Sequence, residues 1–134
     1  MRDIKYKAKD TDGKWWWGEL KPEGANHINL AVFFANICRG LDYSTLREYT
    51  NVRDVDGVGI YACDILTDWN KNVWLVMWAV DGWECLDYKA WSEGFYDAYA
   101  RLSEIGQVDA GRFNSAVKVI GNTLDTPELV KDFL

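Results

Sequence analysis

The chain reads as an α+β domain that is mostly β. Three observations predict this. Short segments alternate apolar and polar residues. Asp-Gly pairs fall between them at Asp12-Gly13, Asp56-Gly57 and Asp81-Gly82. Helical spacing of apolar residues is confined to the last third. The expected architecture is about seven short antiparallel strands in a small barrel or curled sheet. One amphipathic helix near 91–105 and a short C-terminal helix complete it.

The first strand is carried by Ile4, Tyr6 and Ala8 on one face and Lys5, Lys7 and Lys9 on the other. The turn at 10–13 leads to a second strand over 14–20, which holds Trp15, Trp16 and Trp17. The apolar run 28–37 is read as a buried strand, with a short helix as the alternative. Strands are expected at 46–52 and 60–66. The segment 73–80 alternates weakly, so both of its faces are expected to be covered, and 83–86 follows after a turn. Trp91, Phe95, Ala98, Tyr99, Leu102 and Ile105 recur at helical spacing, with Ser92 as the expected N-cap and Gly106 as the stop. A last strand is expected over 112–122. Thr126-Pro127-Glu128 is a helix start, with Thr at the cap and Pro at the first position.

Composition limits the class. The 134 residues suit one domain, and 49% of them are hydrophobic. Eight Trp, seven Tyr and five Phe argue against disorder. No apolar run reaches the length of a membrane span. The N-terminus lacks an apolar signal core, so a cytoplasmic location in a bacterial host cell is expected. Cys38, Cys63 and Cys85 form no C-x-x-C pair, and His27 is the one histidine. The expectation is three reduced thiols, no metal and no cofactor.

Three stretches resemble the YopX family of small proteins encoded by bacteriophages and prophages. The first runs over 1–10, with Asp12-Gly13-Lys14-Trp15 after it, and is similar to M-R-x-I-K-F-R-A-W-D followed by a turn and an aromatic. The second runs over 46–66 and resembles Q-Y-T-G-L-K-D-x-x-G-x-x-I-Y-E-G-D-I-V. The third is Val119-Ile120-Gly121-Asn122 with Thr126-Pro127-Glu128-Leu129, similar to V-I-G-N-I-Y-x-N-P-E-L-L. Asn51 stands where that pattern has Gly, and Ala62-Cys63 stand where it has Glu-Gly. Cys63 is therefore expected to avoid positive φ. The resemblance implies one YopX-like domain over 1–134, phage-derived and mostly β, that self-assembles. It brings no established activity. The acidic, aromatic segment 81–111 is unmatched.

Charge is uneven. The chain carries −6 overall, yet residues 1–21 hold six basic and four acidic side chains. Residues 81–109 hold seven acids against Lys89 and Arg101. Two binding readings follow. In the leading one the chain is a non-enzymatic, host-directed inhibitor that docks on a basic, nucleic-acid-binding protein of host or phage. Trp15, Trp16, Trp17, Trp91 and Tyr96 would supply contact area, with Glu93, Asp97 and Glu104 steering. Adjacent strand residues alternate faces, so the three Trp cannot share one core: at least one ring is expected to be exposed, buried in a second layer or used at a subunit contact, and a homo-oligomer is expected. In the alternative reading Lys5, Lys7 and Lys9 with the Trp triplet bind single-stranded nucleic acid. The opposing view makes that stripe the solvated face of an edge strand. A third reading places Asp54, Asp56 and Asp64 in a hydrolase or nuclease site. Turn chemistry explains them more simply, because Asp side chains accept backbone N–H groups in tight turns.

Overall fold

The computed structural model describes residues 5–19, 27–29, 40–79, 82–95, 99–105, 114 and 116–131. The chain divides into two compact units, residues 1–49 and 50–134. Both are built mainly from strands, and the strands fall into two sheets.

Unit 1 is organised around β1 (Lys5–Lys9) and β2 (Trp15–Glu19), an antiparallel hairpin. β3 (His27–Asn29) runs parallel to β2, and the start of β4 (Arg47–Arg53) runs antiparallel to β1. Ala8 is buried beneath Tyr6, Leu41 and Leu46. That places Ala8, and Trp16 across from it, on the core-facing side, as strand alternation requires. A single 3-10 turn, Tyr43–Thr45, precedes β4. Asp42 starts it by accepting the Ser44 N–H and hydroxyl, and the Thr45 hydroxyl accepts the Lys9 N–H at 2.7 Å.

Unit 2 contains the rest of β4, then β5 (Gly59–Tyr61), β6 (Asp64–Asp68), β7 (Val73–Ala79), β8 (Gly82–Asp87), β9 (Tyr99–Arg101) and β10 (Val117–Asn122). Its main sheet is antiparallel in the order β10-β6-β7-β8-β9. Register puts Ile65, Leu75 and Leu86 on one face and Leu66, Val76 and Cys85 on the other. Both faces are buried, as expected for 73–80. Leu66, Val76 and Cys85 pack with Val52, Ile60, Leu102 and Val117. Ile65, Leu75 and Leu86 pack with Val130, Tyr88 and Trp91. Burial pushes the Cys85 thiol far above the ordinary thiol range.

Several expectations need correction. The sheet is not closed into a barrel: its order ends at β10 and β9, and its faces are covered by other elements. The helix near 91–105 is replaced by α1 (Tyr88–Ser92), β9 and α2 (Leu102–Ile105). Asp87, not Ser92, caps α1 by accepting the Ala90 N–H at 3.2 Å. Gly94, at φ 101°, ends it, and the chain then returns to pair Tyr99–Arg101 with β8. The strand expected at 60–66 is two strands, β5 and β6, because Cys63, against the expectation that it avoids positive φ, adopts φ 65° and breaks it. Its N–H donates to the Val76 carbonyl and its carbonyl accepts from Thr123 N–H, so β7 and the turn after β10 hold the strained residue in place. Asn51 has φ 66°. Both positions where this chain replaces a Gly of the resembled pattern, Asn51 and Cys63, are thus left-handed.

The C-terminal helix is one 3-10 turn, Pro127–Val130. Thr126 makes no side-chain cap on it. Its hydroxyl turns back instead, accepting the Asn122 N–H and donating to the Asn122 carbonyl, both at 3.0 Å. The last strand is shorter than expected, Val117–Asn122, and most of 112–116 lies outside the described residues, as do 30–37 of the apolar run and the Gly106 stop.

Candidate functional site

The strongest concentration of chemistry lies on the face of the unit 1 sheet that carries Lys5, Lys7 and Lys9. β1 presents Lys5, Lys7 and Lys9 to the same side. Across β2, Glu19 lies opposite Lys5, Trp17 opposite Lys7 and Trp15 opposite Lys9. Across β4, Arg47 lies opposite Lys7, which puts Tyr49 beside Lys5. The result is a row of three cations flanked by aromatic rings. The Lys7 ammonium is 4.5 Å from the centre of the Trp15 ring and that of Lys9 is 5.2 Å away. Lys5 lies 5.6 Å over Tyr49. Such contacts hold each cation against a ring face. All of these side chains are half-buried.

Trp16 belongs to the other side. Its indole N–H donates to Asp10 at 2.9 Å, and Lys14 lies 5.2 Å over its ring. The triplet therefore splits two to one, as alternation predicts. Arg47 and Tyr49 were missed in the sequence; the signal was their two-residue spacing on a strand adjoining the lysines. The Arg47 guanidinium donates to the carbonyls of Ser44 and Leu46, which fixes it near the row.

Asp10 anchors the hairpin that sets this register. One carboxylate oxygen accepts the N–H groups of Asp12 and Lys14 at 2.9 and 3.0 Å. The Trp16 indole, then the Lys14 N–H, hold its carboxyl below the ordinary value. The same device occurs twice more. Asp54 accepts the N–H groups of Asp56 and Val58, and Asp68 those of Asn70 and Asn72. In each turn the fourth residue has positive φ: Gly13, Gly57 and Lys71. These are three-residue hairpin loops closed by a left-handed residue.

The carboxylates of the hydrolase reading are occupied in this way. Asp54 is buried and also accepts the Val119 N–H at 2.8 Å. Asp64 is buried and accepts the Tyr61 N–H at 2.7 Å. Asp56 is exposed and faces Lys118 at 3.7 Å. Among the described residues, no group of three His, Cys, Asp or Glu could hold a metal. Among them, no helix is long and apolar enough to cross a membrane.

The acidic segment is only partly visible. Trp91 packs against Ile65, Leu75, Leu86 and Val130, so its ring serves the core of unit 2. Glu93 is exposed, and Phe95 keeps 65% of its surface open. Glu104 lies in α2, its side chain outside the described set, and Tyr96 and Asp97 lie outside it altogether. Cys38 is also outside it, and of His27 only the backbone in β3 is described. Cys63 and Cys85 are free thiols. Sequence reasoning did not anticipate Trp69, 77% exposed at the tip of the β6–β7 turn, or Trp78, which meets Trp83 edge-on at 4.8 Å.

No curated protein matches the chain. A family model does: the one described as YopX protein matches residues 5–131. That span includes both units, the Asp-anchored hairpins and the two left-handed positions, Asn51 and Cys63. The chain belongs to the YopX family, a group of small phage-type proteins.

Proposed function

We infer that this chain is a non-enzymatic binding protein whose working surface is the basic, aromatic face of unit 1, and that its ligand is nucleic acid. The observation that carries this reading is the alternation of Lys5, Lys7 and Lys9 with Trp15, Trp17 and Tyr49 on one sheet face. Phosphates need cations, and exposed base faces need flat rings; the face offers both side by side. The overall charge of −6 opposes nonspecific coating of nucleic acid, so the contact would be local and salt-sensitive. Filter binding of a labelled oligonucleotide at two salt concentrations tests it. Retention that falls steeply with salt, and is lost in Lys7→Glu/Lys9→Glu, supports the reading. Salt-independent retention, or retention unchanged by the charge reversal, contradicts it.

A second reading keeps the chain as a host-directed inhibitor that docks on a basic protein. The exposure of Glu93 and Phe95 just after α1 favours it. Reversing the charges of Glu93, Asp97 and Glu104 would then abolish capture of a basic partner from host lysate. Unchanged capture removes this reading.

A further inference from the structure

We propose that the ligand on this face is an extended single strand, lying along β1 with one nucleotide for every two residues. The inference rests on the nucleic-acid reading above and specifies the form of the ligand. Lys5, Lys7 and Lys9 are alternate residues of one strand, so their Cα atoms are spaced by about 7 Å. That is close to the separation of successive phosphates in an extended single strand. Trp15 and Trp17 repeat with the same spacing on β2, one strand width away at roughly 4.8 Å. Lys7 and Lys9 each have a ring in step on β2, with Glu19 opposite Lys5, and this fits a ligand whose phosphates and base faces advance together. A duplex does not supply this, because its base faces are hidden in the stack.

The cation–ring contacts add a mechanism. Lys7 and Lys9 both lie over Trp15 in the unbound chain. A base stacking on Trp15 takes that ring face, and the two ammonium groups move outward to the phosphates. Long lysine side chains make this exchange without a change in the backbone. Trp15 is therefore the first ring to be occupied, and Lys14, which lies over Trp16 on the opposite face, takes no part.

The test is a competition series with the full chain. Oligothymidylates of one to eight nucleotides compete with a labelled strand, beside a blunt duplex of equal phosphate number. Affinity is expected to climb up to about three nucleotides and then level off, with a log–log salt slope of roughly −2 for three phosphates. Lys7→Ala and Lys9→Ala should each make the slope shallower by about 0.7, while Lys14→Ala leaves it unchanged. Trp15→Ala should weaken binding roughly tenfold and Trp15→Phe much less, since a ring remains. A melting transition for each variant shows that it has folded. Duplex binding as tight as single-strand binding, or a slope that responds to Lys14 as strongly as to Lys7, overturns the extended-strand inference and leaves the nucleic-acid reading standing. Binding of neither form at low salt overturns both.

Discussion

The indole N–H of Trp74 donates to the Asp68 carboxylate at 3.0 Å across a hairpin, as that of Trp16 does to Asp10 at 2.9 Å. In each pair the Trp lies six residues after the Asp. The carboxylate thus closes its own turn and pins the ring at the second position of the returning strand. Asp68 also accepts the N–H groups of Asn70 and Asn72 and the Asn72 side-chain amide. Asp68→Ala leaves these donors without their partner. It should cost about 1–3 kcal/mol in denaturant unfolding, and Trp74→Phe about 1 kcal/mol. A change below a few tenths for Asp68→Ala would show that the turn closes without it.

Stability should fall on acidification. Burial raises the Asp68 pKa, but the Trp74 indole and the Asn72 and Asn70 donors together outweigh it, and the carboxyl lies below its ordinary value. Asp42 is lowered by its Ser44 partners and Asp10 by Trp16. A carboxyl depressed on folding stabilises the protein above its unfolded pKa, near 3.9, and loses that contribution as pH falls through its folded value. The melting midpoint should therefore be flat from neutral pH to about 5 and drop below about 4. Asp68→Asn should flatten part of that drop, by comparison of midpoints at pH 3 and 6. An unchanged drop would assign the acid sensitivity to other groups.

Gly121 is irreplaceable for steric reasons. A Cβ there would lie 1.9 Å from the Thr126 hydroxyl oxygen and 2.9 Å from its Cβ. That hydroxyl is tied to Asn122 in both directions, so it cannot swing away without losing both hydrogen bonds. Gly121→Ala should cost about 1–3 kcal/mol by chemical denaturation. Gly121→Ala/Thr126→Ala should recover only part of this, because the Thr126 Cβ position is retained. Full recovery would mean that the hydroxyl alone sets the cost.

Left-handed residues predict opposite outcomes for different substitutions. Lys71 has φ 62° at the turn position that Gly13 and Gly57 fill in the other two hairpins. Lys71→Gly should therefore be neutral or stabilise by up to about 1 kcal/mol, with relief of strain opposed by a more disordered unfolded state. Cys63→Gly should behave likewise, whereas Cys63→Val should destabilise, since a branched side chain resists φ 65°. Thermal midpoints of the three variants decide this. A stabilised Cys63→Val would contradict the backbone geometry.

Strands and turns were legible where one interaction dominates. The alternation of Lys5, Lys7 and Lys9 against Tyr6 and Ala8 directly reads β1 and its two faces. The Asp-Gly pairs at 12–13 and 56–57 read their hairpins. Asp68-Trp69-Asn70-Lys71-Asn72 reads as a turn from its Asp and Asn residues, although Lys71 takes the position that glycine fills in the other two. The helix at 91–105 was misread because its aromatic spacing satisfies two structures. Trp91 packs from α1, while Tyr99 pairs with Leu86 as part of a strand. Only tertiary pairing separates those uses. Within the candidate site, the lysines and Trp15 and Trp17 were visible from spacing alone. Tyr49 and Arg47 were not, since their place depends on β4 choosing β1 as its neighbour.

The central claim is that the basic, aromatic face of unit 1 is the working surface. An NMR titration of the isotope-labelled chain with oligothymidylate tests it most directly. The account predicts shifts concentrated in Lys5–Lys9, residues 15–17 and residues 47–49, with the Trp15 indole signal among the largest. Shifts confined to Glu93, Phe95 and their neighbours, or none at all, would contradict it.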